Sequence, residues 1–189
     1  MRAVTRLFAA VAALALVSAT AAQAQHAQTR QGFWIGFGIG FGSLRMSCDG
    51  CSSTDRQSSV SGFLKAGGSI SDRLLVGGET NGWAKSINGT TITMGSVLLA
   101  AYYYPTPASG FFLRGGVGLA RYKEEGSTSS SGLGFNLGLG YDLRVGPGYS
   151  LTPVANFSFG SVGKAHGSGI DYPSTQENLI QLAVGFTWH

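Results

Sequence analysis

At 189 residues the chain suits one domain, and its 30 glycines with 11% aromatic and 12% charged residues exclude both a helical bundle and a disordered tail. The formal charge of +4 includes Arg2 and Arg6, without which 11 basic residues stand against 9 acidic ones. Lys65, Lys85, Arg114, Lys123 and Lys164 are scattered and form no stripe along a phosphate backbone, which argues against nucleic acid as a partner.

The first element in chain order is an address. Arg2 and Arg6 precede an apolar run over 7–17, and Ala22-Gln23-Ala24 offers the small side chains that signal peptidase accepts. Residues 1–24 are therefore read as a signal peptide cut after Ala24, and residues 25–189 as the folded domain. A membrane anchor would need roughly 20 apolar residues to cross about 30 Å of hydrocarbon as a helix, more than this run supplies. No cysteine follows the run to carry a lipid.

Beyond the cut, period-two alternation predicts eight strands. Over 33–41 every odd position is large and apolar while Gly36, Gly38 and Gly40 take the other face. Six further strands are predicted over 60–70, 74–84, 91–104, 111–122, 149–161 and 177–188. The eighth, over 133–143, alternates Leu133, Phe135, Leu137 and Leu139 with Gly134, Asn136 and Gly138. A soluble sandwich would place charged residues opposite the apolar face. Glycine with isolated polar groups instead suits the narrow lumen of a small barrel with lipid outside. The predicted class is all-β, an eight-stranded antiparallel up-and-down transmembrane β-barrel.

Short connections at 71–73, 105–110 and 145–148 alternate with longer ones at 45–59, 85–90, 123–131 and 162–176, as expected for periplasmic turns and extracellular loops. Trp34, Trp83, Tyr102, Tyr103, Tyr104, Phe111, Phe112, Tyr122, Tyr149, Phe186 and Trp188 lie near strand ends and are expected at the lipid headgroups. Cys48-Asp49-Gly50-Cys51 occupies the first long loop, where an oxidising compartment favours a local disulfide between Cys48 and Cys51. Neither a redox-active setting nor further metal ligands accompany the pair. Parity places Lys65, Glu79, Arg114, Asn136, Asp142, Arg144 and Gln181 in the lumen as a polar network, with Glu79 and Arg114 as its expected ion pair. Spaced glycines over 36–42 and 115–118 open no helix and are read as sites of close packing rather than nucleotide binding.

Gly32 to Gly42, Tyr103-Tyr104-Pro105, Phe111 to Gly118, Gly138 to Asp142 and Leu182 to Trp188 together resemble the small outer-membrane β-barrel family, similar to the transmembrane domain of outer-membrane protein A. The resemblance implies the outer membrane of a Gram-negative bacterium, with lipid and the barrel-assembly machinery as partners. It also implies an insertion signal at Phe186 or Trp188, from which His189 departs by one residue. His166 and Ser168, with Glu177 downstream, are similar to the catalytic set of outer-membrane lipid A deacylases. Gly169 stands where that pattern has asparagine, so a polar loop is the favoured reading.

The function expected is therefore non-enzymatic and without cofactor or metal, with a structural or surface-interaction role and a possible extracellular ligand on four loops. The alternatives are a narrow porin-like channel and a lipid A hydrolase using His166 and Ser168. No cell-wall-binding module is expected after Trp188.

Overall fold

The computed structural model describes residues 30–48, 55–87, 89–126, 129–162, 165–167, 170–172 and 175–189. Only a pleated strand sends every second side chain to the same side, so the alternating sequence condenses into long strands. They are β1 (Phe33–Cys48), β2 (Gln57–Ser69), β3 (Leu74–Ile87), β4 (Thr90–Tyr103), β5 (Phe111–Glu124), β6 (Ser130–Tyr141), β7 (Leu143–Gly146), β8 (Tyr149–Ser161), β9 (Ala165–Gly167), β10 (Ile170–Tyr172) and β11 (Thr175–Trp188). Each of β1 to β5 runs antiparallel to its successor. Strand β6 and its short continuation β7 both pair with β8, which pairs with β11, and β11 closes on β1. The result is a closed eight-stranded antiparallel barrel, with β9 and β10 forming a separate hairpin. Closure removes every unpaired edge, the condition for burying backbone N–H and C=O groups in hydrocarbon.

Register fixes which face meets lipid. Phe37 stands opposite Leu64 on β2 and Phe186 on β11, while Gly38 stands between Phe63 and Gly185 on the inner face. A slip of one residue would turn the whole outer row of β1 into the lumen. The outcome is a barrel with most of its large aliphatic residues outside and a mixed filling inside: Leu133 is 76% exposed and Leu75 is 1% exposed. On β1 the exposed row is Phe33, Ile35, Phe37, Ile39 and Phe41, and on β11 it is Trp188, Phe186, Val184, Leu182 and Ile180. Five alternate positions per tilted strand make a belt about 25 Å tall, the height of a bilayer's apolar band.

Residues 30–32, His189 and the connections 70–73, 104–110 and 147–148 share one rim, and the strand ends Cys48, Gln57, Ile87, Thr90, Glu124, Ser130, Ser161 and Thr175 share the other. In this class the former rim is periplasmic. The strands run further toward the outer rim than alternation indicates, so the loop expected over 45–59 shrinks to 49–56. Between β3 and β4 the expected loop over 85–90 is only the link 88–89, shorter than the periplasmic connection 104–110, and the strict alternation of long and short links fails there. The Asn-Gly pair at 88–89 is the sequence signal for such a tight hairpin, and Gly89 takes a φ of 83°.

Five aromatics expected at the headgroups are inside the barrel: Trp34, Trp83, Tyr102, Tyr104 and Phe112 are all buried. Nearness to a strand end says nothing about face, and parity decides. Trp34 lies between outward Phe33 and Ile35, and Phe112 follows outward Phe111. Tyr122 is half-buried on the inner parity of β5. Tyr103, Phe111, Tyr149, Phe186 and Trp188 do face outward. Glycine makes room for the inward rings: a Cβ on Gly38 would lie 2.5 Å from the Phe63 ring, and one on Gly140 would lie 2.4 Å from Phe112.

Candidate functional site

The polar lumen is organised around Glu79. Strand β3 aims Glu79 and Asn81 inward from alternate positions, β4 contributes Tyr102, β5 Arg114 and β6 Asn136. Arg114 Nη2 and the Tyr102 hydroxyl each donate to a Glu79 carboxylate oxygen. Asn136 Nδ2 donates to Oε1 at 3.0 Å and Asn81 Nδ2 to the same atom at 2.5 Å. Four donors satisfy a carboxylate that water does not reach, and removing the cation among them would leave a buried charge uncompensated. Lys65 stands across the β2–β3 ladder from Glu79. Its ammonium lies among rings, 5.1 Å from the centre of Tyr102, 5.5 Å from Phe112 and 5.7 Å from Trp34. Each ring face attracts the cation. The rings also pack on one another, with Trp34 and Tyr102 centroids 5.1 Å apart and Tyr102 and Phe112 centroids 5.7 Å apart, both edge-to-face.

A second polar centre lies at the periplasmic mouth. Asp142, at the break between β6 and β7, accepts from the Tyr104 hydroxyl at 2.7 Å and from Thr152 Oγ1 at 2.7 Å. The Thr152 and Thr187 hydroxyls are 3.0 Å apart. His189 returns into the opening: its N–H donates to the Gly148 carbonyl at 3.0 Å, and its Nε2 lies 3.6 Å from Asp142 Oδ2. Arg30 lies over the Tyr104 ring at 3.6 Å and donates to the Pro107 and Ser109 carbonyls at 2.8 and 2.6 Å. Arg144 is buried in the same mouth.

Of the residues selected from sequence, Lys65, Glu79, Arg114 and Asn136 thus meet in one cluster and Asp142 in another. Gln181 stands apart, accepting from Asn156 Nδ2 at 2.8 Å. Asn81, Tyr102, Tyr104, Thr152 and Asn156 escaped sequence reasoning, although strand parity carried the signal for each. Arg30 and His189 lie outside any strand, and nothing in their local sequence marks them.

Toward the extracellular side the filling turns apolar. Leu44, Trp83, Met94 and Leu179 form a cluster, with Met46 and Ile92 packed against it, and Trp83 Nε1 donates to the Gly42 carbonyl at 3.0 Å. Glu177, on β11 near this rim, is fully buried, and its carboxylate has no hydrogen-bond partner among the described residues.

The other selected residues divide differently. Cys48 ends β1 opposite Thr175, while Cys51 lies outside the described residues, and so does the bridge expected between them. His166 pairs through its backbone strand with Asp171, and Ser168 lies outside the described residues. Phe186 and Trp188 face outward beside Phe37, whose ring centre is 6.3 Å from the first and 5.7 Å from the second. Among the described residues no three His, Cys, Asp or Glu side chains gather as a metal site.

The family model described as outer membrane protein β-barrel domain matches residues 11–187. The chain belongs to that family. The outer membrane protein β-barrel domain places it in the outer membrane of a Gram-negative bacterium. Solved barrels share the architecture. Ail, the attachment invasion locus protein of Yersinia pestis, is similar at 15% identity with a TM-score of 0.58, over 84% of this chain and 99% of that one. Neisserial surface protein A is similar at 19% identity with a TM-score of 0.56, over 84% and 97% of the two chains. At these identities the likeness concerns the fold. No curated protein sequence matches the chain.

Proposed function

We propose that this member of the family is a non-enzymatic, non-conducting scaffold that presents its extracellular strand ends and loops for recognition at the cell surface. The observation that carries this reading is the filled lumen. The ring stack with the Glu79 cluster blocks one level, and the Leu44, Trp83, Met94 and Leu179 layer blocks another. Eight-stranded barrels are just wide enough to be packed solid by side chains, so a polar network here strengthens the wall rather than lining a path. The extracellular strand ends also rise past the apolar belt: β1 continues from Phe41 through Ser43 and Arg45 to Cys48. A rigid stalk of this kind costs a displayed loop little ordering entropy on binding. The reading includes export by residues 1–24 with cleavage after Ala24, recognition of Phe186 and Trp188 by the assembly machinery, and oxidation of Cys48 with Cys51.

Planar-bilayer recording of the purified barrel tests the central point. The expected trace stays at baseline without single-channel steps. Regular steps would overturn the scaffold reading in favour of a solute channel, and release of acyl chains from lipid A that is lost in His166→Ala would overturn it in favour of a hydrolase.

A further inference from the structure

The outer wall of the barrel is not uniformly smooth. Across β2, β3 and β4 the outward positions Gly62, Gly82 and Gly95 are neighbours in one ladder row, Gly62 opposite Gly82 and Gly82 opposite Gly95. At Gly62 and Gly82 the missing side chains leave a groove of about 590 Å³, walled by Phe37, Ile39, Val60 and Leu64 and reaching Thr93 on β4. The groove is wide open to the surrounding hydrocarbon rather than enclosed. Close packing does not demand glycine at its centre, because a Cβ on Gly82 would meet nothing within 4 Å. The groove starts beside Ile39 within the apolar belt and reaches Thr93, which pairs with Lys123, while the neighbouring Gly95 pairs with Arg121; both cations are exposed.

Charge is distributed to match. The outward-facing cations near the extracellular rim, among the described residues, are Arg45 on β1, Arg56 just before β2, and Arg121 and Lys123 on β5. The outward positions at the same rim on β6, β8 and β11 carry Ser131, Ser161, Gln176 and Asn178 instead. Two pairs of cations thus flank the groove. Arg56 is held by a bond to the Ser43 carbonyl at 3.0 Å and Arg121 by one to Ser129 Oγ at 2.9 Å. Among the described residues the acidic groups nearby are Asp55, Glu124 and Glu125, the last accepting from the Thr91 N–H at 3.2 Å. Strands β2 and β5 are three ladder spacings apart, roughly 14 Å, too far for one phosphate to reach both pairs.

We infer that this wall is a docking site for a bisphosphorylated, multi-acyl glycolipid of the outer leaflet, with one acyl chain in the Gly62–Gly82 groove and its two phosphates on the flanking cation pairs. An acyl chain suits a groove open to hydrocarbon, and phosphate suits guanidinium and ammonium groups held at headgroup level. The groove lies on the outer wall, apart from the lumen, so the site stands or falls apart from the filled-lumen observation that carries the display role.

Native mass spectrometry of the full barrel released from mixed micelles tests this, using bisphosphoryl hexa-acyl lipid A, its monophosphoryl form and phosphatidylglycerol at equal mole fraction. The wild type is expected to retain the bisphosphoryl lipid over both others. Arg121→Gln with Lys123→Gln should lower that retention by roughly ten- to thirtyfold. Gly82→Leu, which projects into the groove from a Cβ that meets nothing within 4 Å, should lower it as well, while Gly68→Leu, elsewhere on the same face and equally open at its Cβ, should not. A heat-modifiable gel shift in every variant shows that the barrel has folded. Equal retention of the three lipids, or a folded Gly82→Leu variant that keeps wild-type selectivity, would overturn the proposal. A dimer that only Gly82→Leu abolishes would also overturn it, by assigning the groove to a second copy of the chain.

Discussion

The two halves of the lumen solve the same filling problem with different chemistry. The periplasmic half packs Trp34, Tyr102, Tyr104 and Phe112 around two charged centres, and each buried carboxylate there has several donors. The extracellular half relies on Leu44, Trp83, Met94 and Leu179, and the carboxylate at its edge, Glu177, lacks a partner among the described residues. Buried charge is tolerable where neighbouring strands deliver donors from several directions, so charge and aromatic bulk go together. The apolar half is held mainly by contact area, with the Trp83–Gly42 hydrogen bond as an addition, and its aliphatic substitutions should behave as simple cavities.

The largest effect is expected from Arg114→Ala, which leaves Glu79 buried without its cation and should cost about 3–5 kcal/mol. Reversible urea unfolding in lipid, followed by the boiling-dependent gel shift, measures it. Replacing both partners, as Glu79→Leu with Arg114→Met, should recover most of that loss. If the double variant is as unstable as the single one, the cluster is held by its other donors rather than by the ion pair. In the extracellular half, Leu179→Ala should cost about 2–4 kcal/mol as an ordinary cavity in the same assay. Combining it with Trp83→Ala should still leave bilayer conductance at baseline, as the scaffold reading requires if the periplasmic layer fills the lumen independently. Conductance steps in that variant would show that the extracellular layer is the real barrier. The smallest effect is expected from Tyr104→Phe, which removes one of several donors to Asp142 and should cost about 1 kcal/mol.

How much of this was legible in advance depended on the kind of signal. Strand existence and the choice of outer face were readable, because alternation such as Phe33, Ile35, Phe37, Ile39 and Phe41 against glycine is a local, repeated pattern with a single geometric meaning. Membership of the lumen followed from the same parity for Glu79, Arg114 and Asn136. Misplacing Trp34, Tyr102 and Phe112 at the headgroups came from weighing their position along the strand above their parity. At 88–89 the Asn-Gly pair outweighs the expected alternation of long and short links, because it supplies the backbone twist of a tight hairpin.

By itself, then, the sequence determined the class of fold, the membrane-facing surface and the residue types available inside, since these depend only on the two-residue period and on composition. Tertiary structure alone decided which inward residues meet. Closing β11 on β1 and staggering eight strands brought Arg114 to Glu79 across 35 positions of chain and returned His189 to the mouth beside Asp142. It also lined Gly62, Gly82 and Gly95 into one row. Register relates residues on different strands, and no local pattern within one strand encodes that relation.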